Sequence, residues 1–295
     1  MDEARTEQAI NIALNGHVAM RQVRTGALSD WKGCSAANAA RNAVFAARLA
    51  RHGMTGPAPI FEGERGFVAQ VMGECALDLD GFGDPENGDY AILRSLTETS
   101  PTNGELHTAV WAAIDLKKKI GDPAAIEAID IETTEFNLRV LADGKKWHPE
   151  TRETADHSLP YNVARALLDG DINVGSYNAD MLRDPRAAEL MTRTSVSEDP
   201  VLTALFPRHL PNRVAITLAS GERLSREVIS GPGTPETPMT DEDFVRKFRK
   251  MAAGCLCEKA GQKVIAFARD LDRQDDYRAL FGAMVDTREE ADTNG

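Results

Sequence analysis

Cysteine is scarce in this sequence: four thiols, Cys34, Cys75, Cys255 and Cys257, in 295 residues. Only the last two are close, as Cys-Leu-Cys. That is not the paired spacing of a zinc site, and no histidine stands nearby to complete one. Free thiols in a reducing cytoplasm, with no metal, are expected. Long apolar runs are absent too; none approaches the ~20 residues that cross a bilayer, so no membrane span is expected. The opening MDEARTEQAINIAL carries acid where an export signal carries base, and no such signal is read there. Basic residues are outnumbered, with 34 Lys and Arg against 46 Asp and Glu and a formal charge of −12. A nucleic-acid binder neutralises phosphates with a basic face, so that class is set aside. There is no internal repeat, Gly-Lys-Ser/Thr phosphate loop, dinucleotide fingerprint, Gly-x-Ser-x-Gly elbow or His-Glu-x-x-His.

What is present is ordinary for a globular protein: 42% hydrophobic and 27% charged residues. A chain this long can bury roughly three quarters of its unfolded surface. Residues 1–22, 34–53 and 64–77 read as helices. The second is lined with alanine around Val44, Phe45 and Leu49, and small residues on several faces imply extensive burial. Asp78 to Asp89, rich in Asp and Gly, reads as a surface connection; its likeness to a calcium loop lacks the closing acid. His107–Ile120 is predicted helical. Alternation at Ile129, Ile131 and Thr133, then at Phe136, Leu138 and Val140, predicts one or two strands. Ser158–Leu168 reads as a helix closed by Asp169-Gly170. Arg213–Leu218 and Arg223–Val228 read as a hairpin. The Pro-rich link Gly231–Pro238 follows, Thr240 caps the next helix with Asp243 three residues on, and helices continue to about Val285 before a polar tail. The fold class is therefore α+β. Both chain ends (1–92 and 239–295) are expected to build a helical domain, with an α+β domain inserted at 93–238.

Few residues carry chemistry on their own. Lys32, in Trp31-Lys32-Gly33-Cys34-Ser35, stands before a small-residue helix. A Lys above exposed backbone N–H groups suits an anion, and it equally suits a plain surface position. His107 and His157 each open a helical segment, and spacing does not choose between acid–base chemistry and capping.

Several segments together resemble the MmgE/PrpD family, which holds 2-methylcitrate dehydratase, cis-aconitate decarboxylase and related cofactor-free enzymes. They are Lys32-Gly-Cys-Ser-Ala-Ala-Asn-Ala-Ala-Arg-Asn-Ala-Val, Leu49-Ala-Arg-His-Gly-Met-Thr-Gly-Pro, Phe61-Glu-Gly-Glu-Arg-Gly-Phe, Thr108-Ala-Val-Trp-Ala-Ala, Arg152-Glu-Thr-Ala-Asp-His-Ser-Leu-Pro-Tyr, Ala166-Leu-Leu-Asp-Gly, Pro238-Met-Thr and Phe244-Val-Arg-Lys-Phe. The resemblance covers nearly the whole sequence and implies a helical domain with an inserted α+β lid. It places Lys32 at the family's active-site lysine, His107 at a lid histidine of the decarboxylase branch and Tyr161 at a lid tyrosine. It implies a lyase of propionate catabolism that eliminates water from an anionic hydroxy-tricarboxylate without a cofactor. Lys32 would hold a carboxylate, His107 move a proton or hold a second carboxylate, and Tyr161 donate to the leaving hydroxyl or to a carboxylate oxygen. Decarboxylation, epimerisation or a non-catalytic subunit are the rival readings. Two departures stand out. Glu98 occupies a place where relatives often carry Lys, and the family's long N-terminal helical segment is not among these residues. The helical domain is then incomplete, and a second copy or another chain is expected to complete it. Asp156 and His157 are expected to be structural, with Asp156 capping the helix that bears Tyr161.

Overall fold

The computed structural model describes residues 1–24, 28–76 and 90–285. The acidic connection at 78–89 and the polar tail at 286–295 lie outside the described residues. The chain divides into two compact units, Met1–Tyr90 and Ala91–Gly295.

The first unit is built on two helices. Helix α1 (Glu3–Gly16) is capped by Asp2, whose carboxylate accepts from the backbone N–H of Arg5. It stops at Gly16, earlier than the periodicity predicts, because the residues after it leave the helix at His17. Helix α2 (Trp31–Arg51) packs on α1 and buries Asn42, Ala46 and Ala50. It starts ahead of the predicted Cys34. The predicted helix 64–77 is a correction: among its described residues only Val68–Met72 coils, as a π turn, and Gly73 ends it at φ 78°. Gly63 and Gly66 explain the shortening. Each carries no side chain because the carbonyls of Pro59, Ile60 and Phe61 lie where a Cβ would stand, and this folded loop replaces the first helical turns.

The second unit holds a four-stranded mixed sheet in the order β2-β1-β3-β4. After helix α3 (His107–Lys117) comes strand β1 (Ile126–Thr133). The second alternating stretch is not a strand but helix α4 (Glu135–Leu141). Thr134 caps it by accepting from Asn137 N–H, and Glu135 suits the dipole. Short α5 (Arg152–Ala155) leads to α6 (Leu159–Asp169), which Ser158 caps and Gly170 closes in the left-handed conformation. Then follow α7 (Ala179–Leu182), α8 (Pro185–Thr192), β2 (Thr194–Glu198) and α9 (Pro200–Thr203). Strand β2 pairs in parallel with β1, Ile131 opposite Val196. The predicted hairpin is present as β3 (Asn212–Leu218) and β4 (Arg223–Val228), Val214 opposite Arg226. Helices α10 (Asp241–Ala252), α11 (Glu258–Arg269) and α12 (Arg278–Val285) finish the unit, and Thr240 and Asp243 form the reciprocal cap on α10.

Ile129, Ile131, Val214 and Ile216 point from one sheet face into the core, where Val110, Ala113 and Leu116 of α3 and Leu159, Val163 and Leu167 of α6 meet them. The opposite face carries charge: Arg213 bridges Glu132, Asp199 and Glu227, and Arg223 pairs with Asp130. Period-two alternation produces this division. The class is α+β. Among the described residues no helix is long and apolar enough to cross a membrane.

Candidate active site

Lys32 lies in the first unit, at the second residue of α2, half-buried. Its own N–H donates to Ser29 and that of Gly33 to Asp30, at 3.0 and 3.1 Å. Those two donors, read from sequence as open to an anion, are therefore used within a turn.

His107 and Tyr161 lie in the second unit. A buried polar network fixes the start of α3. Asn103 accepts from Glu105 N–H at 3.0 Å, Asn212 Nδ2 donates to the carbonyl of Glu105 and to Thr108 Oγ1, and Thr108 donates to the carbonyl of Leu210. His107 is 2% exposed. Its Nδ1 accepts from Thr99 N–H at 3.4 Å, a long contact, with Thr99 Oγ1 at 3.3 Å. Its ring stands edge-on to Trp111 at 5.6 Å. Its pKa is pushed down to about 4, above all by burial and further by the charge of Lys247, against the carbonyls of Thr102 and Ser100. The imidazole is therefore neutral at pH 7.

Tyr161 is buried within α6 and its hydroxyl donates to the carbonyl of Ser176 at 2.7 Å. Burial, the largest cause, pushes its pKa up to about 12. Its hydroxyl pins α6 to the turn at Val174–Tyr177. His107 and Tyr161 line different cavities, one of about 180 Å³ and one of about 660 Å³. The larger, bounded also by Trp147, His148, Met191 and Thr194, is mostly apolar.

The segments Ser100–His107 and Arg152–Tyr161 meet along a polar seam. The carbonyl of Asp156 accepts from Asn103 N–H at 3.0 Å and from Thr102 Oγ1 at 2.9 Å. The Asp156 carboxylate meets His157 Nδ1 at 2.5 Å, and Asn103 Nδ2 lies 3.4 Å from His157 Nε2. Asp156 is thus not the cap predicted from sequence. Ser158 is, accepting from Tyr161 N–H at 3.1 Å while donating to the carbonyl of Lys146. Asp156 orients a buried histidine instead, an arrangement that suits proton transfer. The adjacent Asp-His pair was the available signal for it. Nothing local signalled that Arg208, a hundred residues on, would share a cavity with His107. Among the described residues no group of three or more His, Cys, Asp or Glu is placed to hold a metal.

Comparison with known proteins supplies the context of this seam. Residues 101–273 match the family model described as MmgE/PrpD C-terminal domain, and residues 1–80 the MmgE/PrpD N-terminal domain. The cis-aconitate decarboxylase of Mus musculus is 25% identical over 249 residues, 82% of this chain and 50% of that protein. The 2-methylcitrate dehydratase of Cupriavidus necator is 30% identical over 198 residues, 63% of this chain and 40% of that protein. The 2-methylcitrate dehydratase of Salmonella typhi is 29% identical over 262 residues, 84% and 52% respectively. The chain spans about half the length of these curated relatives or less. It belongs to the MmgE/PrpD family.

Proposed function

We propose that this MmgE/PrpD chain is a lyase of the 2-methylcitrate dehydratase type, acting on an anionic hydroxy-tricarboxylate without a cofactor. The observation that carries the reading is the polar seam. A neutral, buried His107 stands on one side of it, at the start of α3, and a carboxylate-oriented His157 on the other, between α5 and α6. Elimination of water needs a base for the proton beside a carboxylate. It also needs an acid for the departing hydroxyl and positive charge for the electron density that gathers on the carboxylate. The C–H proton goes to the base, the electron pair forms the C=C bond, and the C–O bond breaks with release of water. Lys32 is proposed to hold a carboxylate as a point charge and His107 to move a proton. Tyr161, with its hydroxyl given to Ser176, serves by shaping α6 beside the seam.

Decarboxylation is the second reading, favoured by His107 at the place of the decarboxylase branch's lid histidine: a proton taken from solvent and passed on through the imidazole would replace the carbon dioxide that leaves. Both readings include an assembly in which a second copy, or a chain supplying further helices, completes the helical part. Incubation with 2-methylcitrate and, separately, cis-aconitate tests them. A new conjugated alkene from the first supports dehydration, and itaconate from the second supports decarboxylation. No turnover of either, at concentrations where the chain is assembled, overturns both.

A further inference from the structure

Asp156 and His157 occupy the short turn between Ala155, the last residue of α5, and Ser158, the cap of α6. One side chain holds the carbonyls on both flanks of that turn. Asn162, near the start of α6 and fully buried, donates from Nδ2 to the carbonyl of Ala155 at 2.8 Å and to that of Ser158 at 2.7 Å. A carbonyl only accepts, so Nδ2 must face the turn and Oδ1 must face away from it. There Oδ1 accepts from the hydroxyl of Tyr177 at 2.7 Å. Tyr177 is buried too, and burial, the largest cause, pushes its pKa up, so the hydroxyl keeps the proton that it donates. Thr102 also stands beside that hydroxyl, but its own proton goes to the carbonyl of Asp156 at 2.9 Å.

Two features distinguish Asn162 from an asparagine that merely fills a core. Among the described residues the buried Asn137 and Asn212 each keep an amide oxygen without a partner, whereas both ends of the Asn162 amide are engaged. The second feature is what it holds. Glu105 N–H occupies Oδ1 of Asn103, so Nδ2 of Asn103 is the atom that lies 3.4 Å from His157 Nε2. A donor there makes Nε2 an acceptor. The ring proton is then on Nδ1, where the Asp156 carboxylate receives it at 2.5 Å. An imidazole with Nδ1–H on a carboxylate and a lone pair on Nε2 is set up to take a proton. In a helix or a strand adjacent side chains point apart, so Asp156 and His157 meet only while the turn keeps its own path.

We infer that Asn162, locked by Tyr177, is a positioning residue: by holding the carbonyls of Ala155 and Ser158 it keeps the Asp156 carboxylate on Nδ1 of His157, and so fixes His157 in the tautomer that accepts a proton at Nε2. Thr102 and Asn103 hold the carbonyl of Asp156 from the α3 side, and Asn162 holds the turn from the α6 side. The inference rests on the lyase reading only for the reaction that His157 serves.

Nitrogen NMR of the full chain labelled with ¹⁵N-histidine reads the tautomer directly, because protonated and bare ring nitrogens resonate far apart. Wild-type His157 is expected in the Nδ1–H form; the Nε2–H form would overturn the inference. Tyr177→Phe keeps the ring and removes only the hydroxyl, and should move both His157 nitrogens toward the average of the two tautomers. Asn162→Ala should move them further, and if that variant does not fold, Tyr177→Phe decides. Leu202→Ala truncates a buried side chain of α9 outside the core cluster that α6 joins, and as a destabilised control it should leave the His157 nitrogens in place. Resonances unmoved in Tyr177→Phe, or moved equally by Leu202→Ala, would leave Asn162 and Tyr177 with a structural role only and overturn the inference. Where the chain turns over 2-methylcitrate or cis-aconitate, Tyr177→Phe should lower kcat about tenfold and keep KM within about twofold. Turnover with kcat unchanged in Tyr177→Phe would remove the positioning role and keep the lyase reading. A His157 tautomer that depends on Tyr177, without turnover of any acid by wild type, would keep the positioning role and remove the lyase reading.

Discussion

His107 and His157 are both buried, yet each Nδ1 meets a different group: the N–H of Thr99 for His107, the carboxylate of Asp156 for His157. The consequence is measurable for His107. Its folded pKa lies near 4, below the 6.5 of a free histidine, so the unfolded chain binds the proton first as pH falls. Stability from this residue is present above pH 6.5 and is lost as pH falls from about 6.5 through about 4. The ring resonances of His107 should therefore stay constant from pH 8 to pH 5. The unfolding free energy of His107→Asn should vary less than that of wild type between pH 6.5 and 4; equal slopes would contradict the assignment. The seam yields a second expectation. Ser158→Ala removes a cap and a buried donor, and should cost ~1–2 kcal/mol in denaturant unfolding. Asp156→Ala removes no helix cap, so it should cost less and affect chemistry more. The reverse order of stabilities would restore Asp156 as the cap. Residue types were legible in the sequence here, but their partners were not. That the Tyr161 hydroxyl donates to the carbonyl of Ser176, for instance, is set by how the turn after α6 folds back.

At the level of elements, signals with a local physical cause were legible. Thr240 and Asp243 capped α10, Gly170 closed α6, and the hairpin lay where alternation and a Gly turn placed it. What failed was an overlooked cap in one place and distant partners in the others. Phe136, Leu138 and Val140 alternate as a strand would, yet Thr134 starts a helix there, and α4 buries Asn137 and Leu141. Strand β2 has only Thr194 and Val196 partly buried and no apolar stripe; it exists because β1 offers an edge. The Pro-rich stretch after β4 read as a link, but Thr97 N–H donates to Gly233 O at 2.8 Å and fastens it. Gly231 faces Trp111 so closely that an added Cβ would lie 2.1 Å from the ring. Gly231→Ala should accordingly displace Trp111, cost ~1–3 kcal/mol by overpacking and lower the urea midpoint; an unchanged midpoint would mean that Trp111 has room to move. Helices α6 and α8 are joined by charge. Arg165 is fully buried and donates to Asp184 at 2.7 Å and to Asp169 at 2.9 Å. Arg186 first, then Arg165, holds the Asp184 carboxyl well below the usual range. Asp184→Ala strands part of a buried guanidinium and removes the cap of α8, so a loss of ~3–5 kcal/mol is expected. A loss below 1 kcal/mol would show that Asp169 alone satisfies Arg165.

For the whole molecule, the succession of helices, a mixed block and helices again was readable because the period of the apolar pattern changes from 3.6 to 2 and back. The surface was harder to read. Alanine on several faces of α2 suggested extensive burial, yet only Asn42, Ala46 and Ala50 are buried, while Trp31, Val44 and Phe45 are each more than half exposed. An alanine count measures how closely a helix can be approached, not whether anything approaches it. Large apolar side chains left in water on a helix otherwise built for close contact favour association, because burying them removes apolar area from solvent. If two copies cover that face, folding and association are linked, and tenfold more protein should raise apparent stability by ~1.4 kcal/mol per dimer. Sedimentation should then show self-association at micromolar concentration, with a melting temperature that rises with concentration. Phe45→Glu places a charge on the exposed face without touching the buried Ala46 and Ala50, so it should yield a monomer with a concentration-independent melting temperature. A wild-type chain that sediments as a monomer, with a melting temperature independent of concentration, would instead mean that the α2 face is tolerated in water.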